Sequence, residues 1–290
     1  MNDCYSDRVQ RVVDHVRRHL DGDLSLATLA KIACFSPFHF HRIFKASTGE
    51  TVADLVRRAR LERAVRLMRG APSRTLTGIA LEVGFATPSD LSRIFKQVHG
   101  IAPSRWDRRS RLDGIRAGAA DAREAGPERP VPAPVIRRHL PIRIAYVRVP
   151  DPWRSPRPLA EGYRALTRWL AARGVDWRRQ RLLGLTWDSE LATPLERLVY
   201  DLAFVVPDAI AAEGRFGVYE LPAVTAVEIR CDSLPEVALA WEHLYCEWLP
   251  RSVYEPDDLP AVKRFVRVPE HFDASAWLVD CSIAIRRRRS

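Results

Sequence analysis

Apolar residues recur at three- and four-residue spacing through the first third of the chain: Val9, Val12, Val13, Val16 and Leu20 in one stretch, then Leu55, Ala59, Ala64, Leu67 and Met68. That period predicts amphipathic helices, each with one face on a core. Beyond residue 135 the pattern changes. Ile142 to Val149, Leu202 to Val206, Val224 to Ile229 and Ala276 to Ile285 are short apolar or alternating runs that predict strands, with helices near 160–172 and 235–249 between them. The two regimes are separated by LDGIRAGAADAREAGPERPVPAP, which is poor in aromatic residues and ends in alternate prolines, as a linker does. The expected fold is therefore multidomain: an all-α domain over 1–110, a linker over 111–134 and an α+β domain over 135–290.

Two internal repeats sharpen this. Ser25-Leu26-x-x-Leu29-Ala30 returns as Thr75-Leu76-x-x-Ile79-Ala80, Arg42-Ile43-Phe44-Lys45 returns as Arg93-Ile94-Phe95-Lys96, and Gly49 and Gly100 close both copies. Each copy has the parts of a helix-turn-helix: a capping hydroxyl, a short apolar helix, a turn, then Ser36-Pro37 or Thr87-Pro88 opening a second helix. Val52 to Met68 reads as one long helix joining the two units, about 25 Å at 1.5 Å per residue. The second repeat is weaker. Ala165-Leu166-Thr167-Arg168-Trp169-Leu170 resembles Leu244-Tyr245-Cys246-Glu247-Trp248-Leu249, which suggests a duplicated β-plus-α unit.

In the second helix of the first unit, Phe40, Ile43, Phe44 and Ser47 share a core face, leaving Phe38, His41, Arg42 and Lys45 to project. The other unit places Leu91, Ile94, Phe95 and Val98 inside and Ser89, Ser92, Arg93 and Lys96 outside. Arginine can donate two hydrogen bonds to guanine, His and Ser can bond base edges or phosphate, Phe38 can meet a thymine methyl, and Lys45 and Lys96 suit phosphate. Any one of these residues could be an ordinary solvated side chain; recurrence of the face in both copies favours contact with DNA for Arg42 and Arg93. Charge agrees with that partner. The chain carries a formal +10, and residues 1–110 hold 19 Lys and Arg against 11 Asp and Glu, whereas 111–285 hold 23 against 25. Arg57, Arg58, Arg60, Arg63 and Arg66 crowd the joining helix, where some are expected along the phosphate backbone. The terminal run Arg286 to Arg289 reads as a solvated tail.

Residues 7–109 resemble the DNA-binding domain of the AraC/XylS family. The resemblance rests on Leu26-x-x-Leu29-Ala30, Phe40-x-Arg42-Ile43-Phe44-Lys45-x-x-x-Gly49, Arg60-Leu61-x-x-Ala64, Ile79-Ala80-x-x-Val83-Gly84-Phe85 and Phe95-Lys96-x-x-x-Gly100-x-x-Pro103-Ser104-x-Trp106. It implies sequence-specific binding of double-stranded DNA and control of transcription initiation, activation rather than repression, with RNA polymerase as a further partner. Two positions depart from the pattern: Cys34 stands where the second copy has Gly84, and Gly78 stands where a helix former is usual.

The remainder resembles the GyrI-like effector-binding domain that follows an AraC-type reader in Rob-like regulators, through Pro141-x-x-x-Ala145-Tyr146, Glu196-Arg197-x-x-Tyr200-Asp201-x-Ala203 and Trp241-x-x-Leu244-Tyr245-x-x-Trp248-Leu249-Pro250. The resemblance implies two βαββ-like halves with a cleft for an amphipathic small molecule. Tyr146, Trp153, Trp187, Tyr200, Lys263 and Trp277 are its candidate lining, whereas Trp169, Trp241 and Trp248 sit at helical spacing and read as core. Family members commonly carry a buried glutamate after the position of Pro260; here the alignment places Lys263 there, which favours an anionic or neutral effector. The alternative is that Lys263 meets solvent and the acid is Glu220 or Glu228. A C-terminal domain serving only as a protein-contact surface, or as a vestigial hydrolase, also stays open.

Catalysis has little support, because no nucleophile elbow, metal-ligand spacing or phosphate-cradling loop is present. A non-specific architectural binder would show basic faces without the mixed Phe, His and Ser positions. Five scattered cysteines, no apolar leader and no run of eighteen apolar residues point to a cytoplasmic chain without cofactor, metal or membrane partner.

Overall fold

The computed structural model describes residues 3–107, 131–188, 193–273 and 278–288. The linker expected over 111–134 falls almost wholly outside them.

Six helices form the N-terminal part: α1 (Asp3–Arg18), α2 (Leu26–Ile32), α3 (Pro37–Thr48), α4 (Val52–Gly70), α5 (Leu76–Glu82) and α6 (Pro88–His99). The two units are built alike because their sequences cap alike. Ser25 and Thr75 accept the backbone N–H of Thr28 and Gly78 to start α2 and α5; Ser36 and Thr87 do the same for α3 and α6, each with Pro at the first position. Gly49 and Gly100 end α3 and α6 at φ of 75° and 74°, donating to Lys45 and Lys96 carbonyls. The turns match bond for bond, with Phe35 N–H donating to Ala30 O and Phe85 N–H to Ala80 O. One core gathers Val12, Val16, Leu29, Phe40, Phe44 and Leu55, the other Leu61, Leu67, Ile79, Leu91 and Phe95. Phe40 and Phe44 are fully buried, each worth roughly 1.5–3 kcal/mol relative to exposure. Val98, expected inside, is instead exposed.

The C-terminal part is one antiparallel sheet in the order β1-β6-β9-β8-β3-β4-β2-β5, with β7 pairing β9. Its strands are β1 (Val135–His139), β2 (Ile142–Pro150), β3 (Leu182–Thr186), β4 (Val199–Val205), β5 (Phe216–Leu221), β6 (Val224–Cys231), β7 (Tyr254–Pro256), β8 (Ala261–Phe265) and β9 (Val279–Arg287). Helix α7 (Pro156–Ala171) follows β2, and α8 (Leu234–His243) follows β6, continuing through Leu244–Trp248 to Arg251. The expected duplication is visible: β2-α7-β3-β4 and β6-α8-β8-β9 place their strands in mirror order about the central β3–β8 pair. Each half also borrows an edge strand, since β1 pairs with β6 and β5 with β2.

Alternation along the strands gives the sheet two different faces. Val147, Val149, Tyr200, Leu202, Phe204, Ile229 and Cys281 share a core with Leu166 and Leu170 of α7 and with Val237 and Ala240 of α8. Ile144, Tyr146, Leu183, Leu185, Trp187, Ala203 and Tyr219 line the opposite face. That second face meets the reader.

Candidate functional site: reader faces, domain seam and a caged lysine

On α3, Phe38, His41, Arg42 and Lys45 are all exposed above the buried Phe40 and Phe44, Phe38 at 74%. The Arg42 guanidinium lies 5.9 Å from the Phe38 ring centre, so these two side chains form one surface. On α6, Ser89, Arg93 and Lys96 are exposed and Ser92 is half-buried. Arg93 is held loosely by Asp90, 3.4 Å away on the preceding turn. Both sets therefore stand clear of the core and of the C-terminal sheet, as a pair of groove-reading faces requires.

The arginines of α4 do something else. Arg58 pairs with Glu50 at 2.8 Å and with Asp188 at 3.0 Å, Arg60 donates to Leu20 O, Arg63 pairs with Glu82 and Asp258, and Arg66 donates to Leu259 O. Of these five arginines, some of them expected along phosphate, Arg57 is the one left on the exposed side, paired with Asp54. The reason is that α4 packs against β7 and the segment after α8, so charge on that face meets the other domain before it meets solvent.

Two buried networks make this seam. In the first, Arg17 of α1 bonds Asp188 at 2.6 Å, and Arg148 of β2 bonds Asp201 at 2.6 Å and Asp14 of α1 at 3.0 Å. Asp14 also accepts from the Tyr146 hydroxyl, Gln10 donates to the same hydroxyl, and Trp187 donates to Asp201. Thr193 donates to Glu62 of α4. In the second network Glu82, at the end of α5, accepts from Arg63, Arg74 and Arg286, while Glu255 of β7 accepts from Arg74 and Arg286. Arg286 is thus a clamp rather than part of a solvated tail, and Arg288 donates to the carbonyls of Leu249, Pro250 and Tyr254; Arg289 lies outside the described residues. Each reader unit is pinned to the sheet separately, the first through α1 and the second through α5.

Burial pushes the Glu82 carboxyl up, but hydrogen bonds from Arg74 and Arg286 outweigh it and hold it near about 2. A carboxylate depressed in the folded state contributes stability that is complete above its unfolded pKa of ~4.3 and is lost as pH falls toward 2. The stability difference between wild type and Glu82→Gln is accordingly expected to be full at pH 5 and to vanish on approach to pH 2. Denaturant midpoints across that range check it; a difference independent of pH would remove the charged network as its cause.

The expected effector lining is not one site. Tyr146 and Trp187 lie on the sheet face that meets α1, where hydrogen bonds to Asp14 and Asp201 occupy their polar atoms, and Trp277 lies outside the described residues. Trp153, Tyr200 and Lys263 do come together on the helical face. The Lys263 Nζ is 4.7 Å from the Tyr200 ring centre and 5.7 Å from those of Trp153 and Trp241, and it donates to Thr186 Oγ1 at 3.2 Å. Trp241, expected in the core, is thus a wall of this cage. Gly184 permits the arrangement: the Tyr200 phenol lies where a Cβ at 184 would be. The Tyr200 hydroxyl is buried with no hydrogen-bond partner among the described residues. No carboxylate pairs with Lys263 among them either. Glu228 is held on the opposite face by His139 and Arg264, and Glu220 is exposed. Burial pulls the Lys263 ammonium down to about 8, with the Cys281 and Cys231 thiols opposing weakly.

No helix among the described residues is long and apolar enough to cross a membrane, and no group of three or more His, Cys, Asp or Glu among them could hold a metal ion.

Comparison with known proteins finds two matching families. Residues 29–109 match the helix-turn-helix domain family, and residues 133–285 match the GyrI-like small molecule binding domain. The chain is 30% identical over 102 residues to the uncharacterized HTH-type transcriptional regulator YbfP of Bacillus subtilis, 35% of this chain and 34% of that one. It is 28% identical over 104 residues to the regulatory protein SoxS of Salmonella typhimurium, 36% of this chain and 94% of that one. The matched span is thus about a third of YbfP. Among solved structures, EcmrR in its complex with DNA aligns over 91% of this chain and 99% of that one, with 11% identity and a TM-score of 0.46. YbfP is named as a transcriptional regulator and SoxS as a regulatory protein. The chain belongs to the GyrI-like small molecule binding domain family, and an AraC-type helix-turn-helix domain precedes the matched residues.

Proposed function

We propose that residues 1–110 read two successive major-groove segments of a promoter, and that the domain over 135–290 senses a small-molecule effector and thereby controls activation by RNA polymerase in the cytoplasm. On the DNA, Arg42 and Arg93 read bases, Phe38, His41, Ser89 and Ser92 support them, and Lys45 and Lys96 hold phosphate. The effector takes the space bounded by Trp153, Tyr200 and Lys263, and a lone ammonium there favours an anionic or neutral molecule.

The observation that carries the reading is that different helices of the N-terminal part supply a free surface and a bound one. The recognition residues of α3 and α6 project freely, while α1, α4 and α5 are bound by buried or half-buried ion pairs to the domain that holds the caged lysine. An effector that shifts the sheet therefore has a direct route to the spacing of the two readers, provided it binds the two arrangements unequally.

Selection from random duplex DNA, at several salt concentrations, tests the reader. A site with two half-sites about one helical turn apart, ~34 Å, is expected. Arg42→Ala and Arg93→Ala should each lose about 1–3 kcal/mol of binding and relax preference within one half-site only. If neither changes affinity or preference, the two-groove reading fails.

A further inference from the structure

Lysine is scarce here. Of 46 basic residues four are lysines, Lys31, Lys45, Lys96 and Lys263, and the last stands alone beyond residue 96 in a region full of arginine. Arginine binds carboxylates and phosphates at least as well as lysine does, and its guanidinium does not give up its proton. What a lysine adds at a buried position is an amine that can become neutral and attack. The other three lysines are exposed; Lys263 is 3% exposed, on the central strand pair of the sensor sheet.

The surroundings suit an amine more than a fixed cation. Three aromatic rings and one threonine hydroxyl are its neighbours, and no carboxylate among the described residues holds it charged. The Tyr200 ring centre lies 4.7 Å from Nζ, and its buried hydroxyl has no hydrogen-bond partner among the described residues. Trp153, 37% exposed on the segment between β2 and α7, is the side from which a molecule can enter.

We propose that Lys263 captures an aromatic aldehyde as a reversible imine, between the rings of Trp153, Tyr200 and Trp241. The proposal rests on the effector-sensing reading above and names the effector's chemical class. Neutral Nζ attacks the aldehyde carbon; the carbonyl oxygen takes up a proton as nitrogen loses one, giving a carbinolamine. Loss of that hydroxyl as water forms the C=N bond. Amine and aldehyde give imine and water with no oxidant or reductant, and hydrolysis reverses the step. The Thr186 hydroxyl, 3.2 Å from Nζ, is placed to pass the protons. The neutral fraction at pH 7 to 8 follows from burial, and the groups that face Nζ are Thr186 of β3, Tyr200 of β4, Cys281 of β9, Cys231 of β6, Trp153 and Trp241 of α8, of which the two thiols are its electrostatic partners.

The test uses the full chain with benzaldehyde and cyanoborohydride, mapping the reduced adduct by peptide mass spectrometry, with benzoate as a probe of matching shape that lacks the electrophilic carbon. Labelling of Lys263 is expected at least ~tenfold faster than of Lys31, Lys45 or Lys96, rising with pH toward 8. Lys263→Arg and Lys263→Met should each abolish the fast labelling, and thermal unfolding reports that they fold. Adducts spread over the three exposed lysines, with Lys263 unmodified, would overturn the proposal. If benzoate saturably quenches tryptophan fluorescence, the quench is lost in Lys263→Met, and benzaldehyde still leaves Lys263 unmodified, then the cage binds an effector and imine capture is wrong. Silence toward both probes overturns imine capture and takes this pocket from the effector reading as well.

Discussion

Asp188→Ala is expected to cost about 3–5 kcal/mol, because it leaves the buried Arg17 guanidinium without its counter-charge, while Arg58 keeps Glu50. Arg17 and Arg58 converge on this one carboxylate, and the side chains of Asp188 and Arg17 are 3% and 4% exposed. Burial already pulls Arg17 downward, and Asp188 is the foremost group opposing that shift. Two Arg17 nitrogens have no acceptor among the described residues, so losing Asp188 leaves the guanidinium little beyond the Trp187 ring, 5.5 Å from its carbon. The loss should fall on docking rather than on either core: calorimetry is expected to resolve the single transition of the wild type into separate reader and sensor transitions. Asp188→Asn keeps a hydrogen-bond acceptor and should lose less. An Asp188→Ala protein within ~0.5 kcal/mol of wild type would mean that the seam contributes nothing to stability.

Gly84→Ala is expected to destabilise the reader by about 2–4 kcal/mol, whereas Cys34→Gly, at the equivalent turn, should stabilise it by up to ~1 kcal/mol. Both positions are left-handed, with φ of 88° and 55°. They differ in what lies beyond the α-carbon. A Cβ at Gly84 would overlap the Leu20 carbonyl and the Arg60 guanidinium, so the turn of the second unit rests directly on the end of α1 from the first. Neither obstacle can move cheaply: Leu20 O is backbone, and Arg60 donates to that same oxygen. Cys34 is exposed and bears only the conformational cost. Chemical denaturation of the two variants gives opposite signs if this account holds; a stable Gly84→Ala protein would contradict the close approach of the units. Because that contact also sets how the two recognition helices face each other, Gly84→Ala should weaken binding to a two-part site more than binding to one half-site.

The reader was legible in the sequence because its determinants are local. Caps, turn residues and the 3.6-residue period lie within a few positions of the atoms they govern, and duplication supplied each signal twice. The sheet was legible in outline. The apolar runs of β2, β4, β6 and β9 announced themselves, but β3 contains a glycine, β1 is exposed, and β5, β7 and β8 are short or mixed in pattern. What the sequence could not supply is the face on which an aromatic residue stands. Alternation ranks residues within one strand, and only register relates strands: Tyr146 lies opposite Ala203, which puts it on the far side from Tyr200. The seam was hidden for a different reason. A charged residue on an outward helix face has the same pattern whether it meets water or a second domain, so Asp14, Arg17, Arg58 and Arg63 carried no mark of burial. The signal that could have drawn notice is the acidic complement, with Asp188 and Asp258 in the C-terminal domain matching arginines of α1 and α4, and Glu255 matching Arg74.

The exchanged edge strands bear on how the chain is made. Val135–His139 leaves the reader first, yet its partner is Val224–Cys231, the opening strand of the second half. Helical contacts in the reader are close in sequence and form early, while pairing across the whole sensor must wait for loop closure over long distances. During synthesis from the N-terminus, the recognition helices can therefore be folded while β1 is still an unpaired edge with Val135 and Ile136 exposed. Under the proposed function, a chain in that state could touch DNA before it could sense an effector, and the interval between the two is set by the slow assembly of a sheet whose first strand is completed among the last.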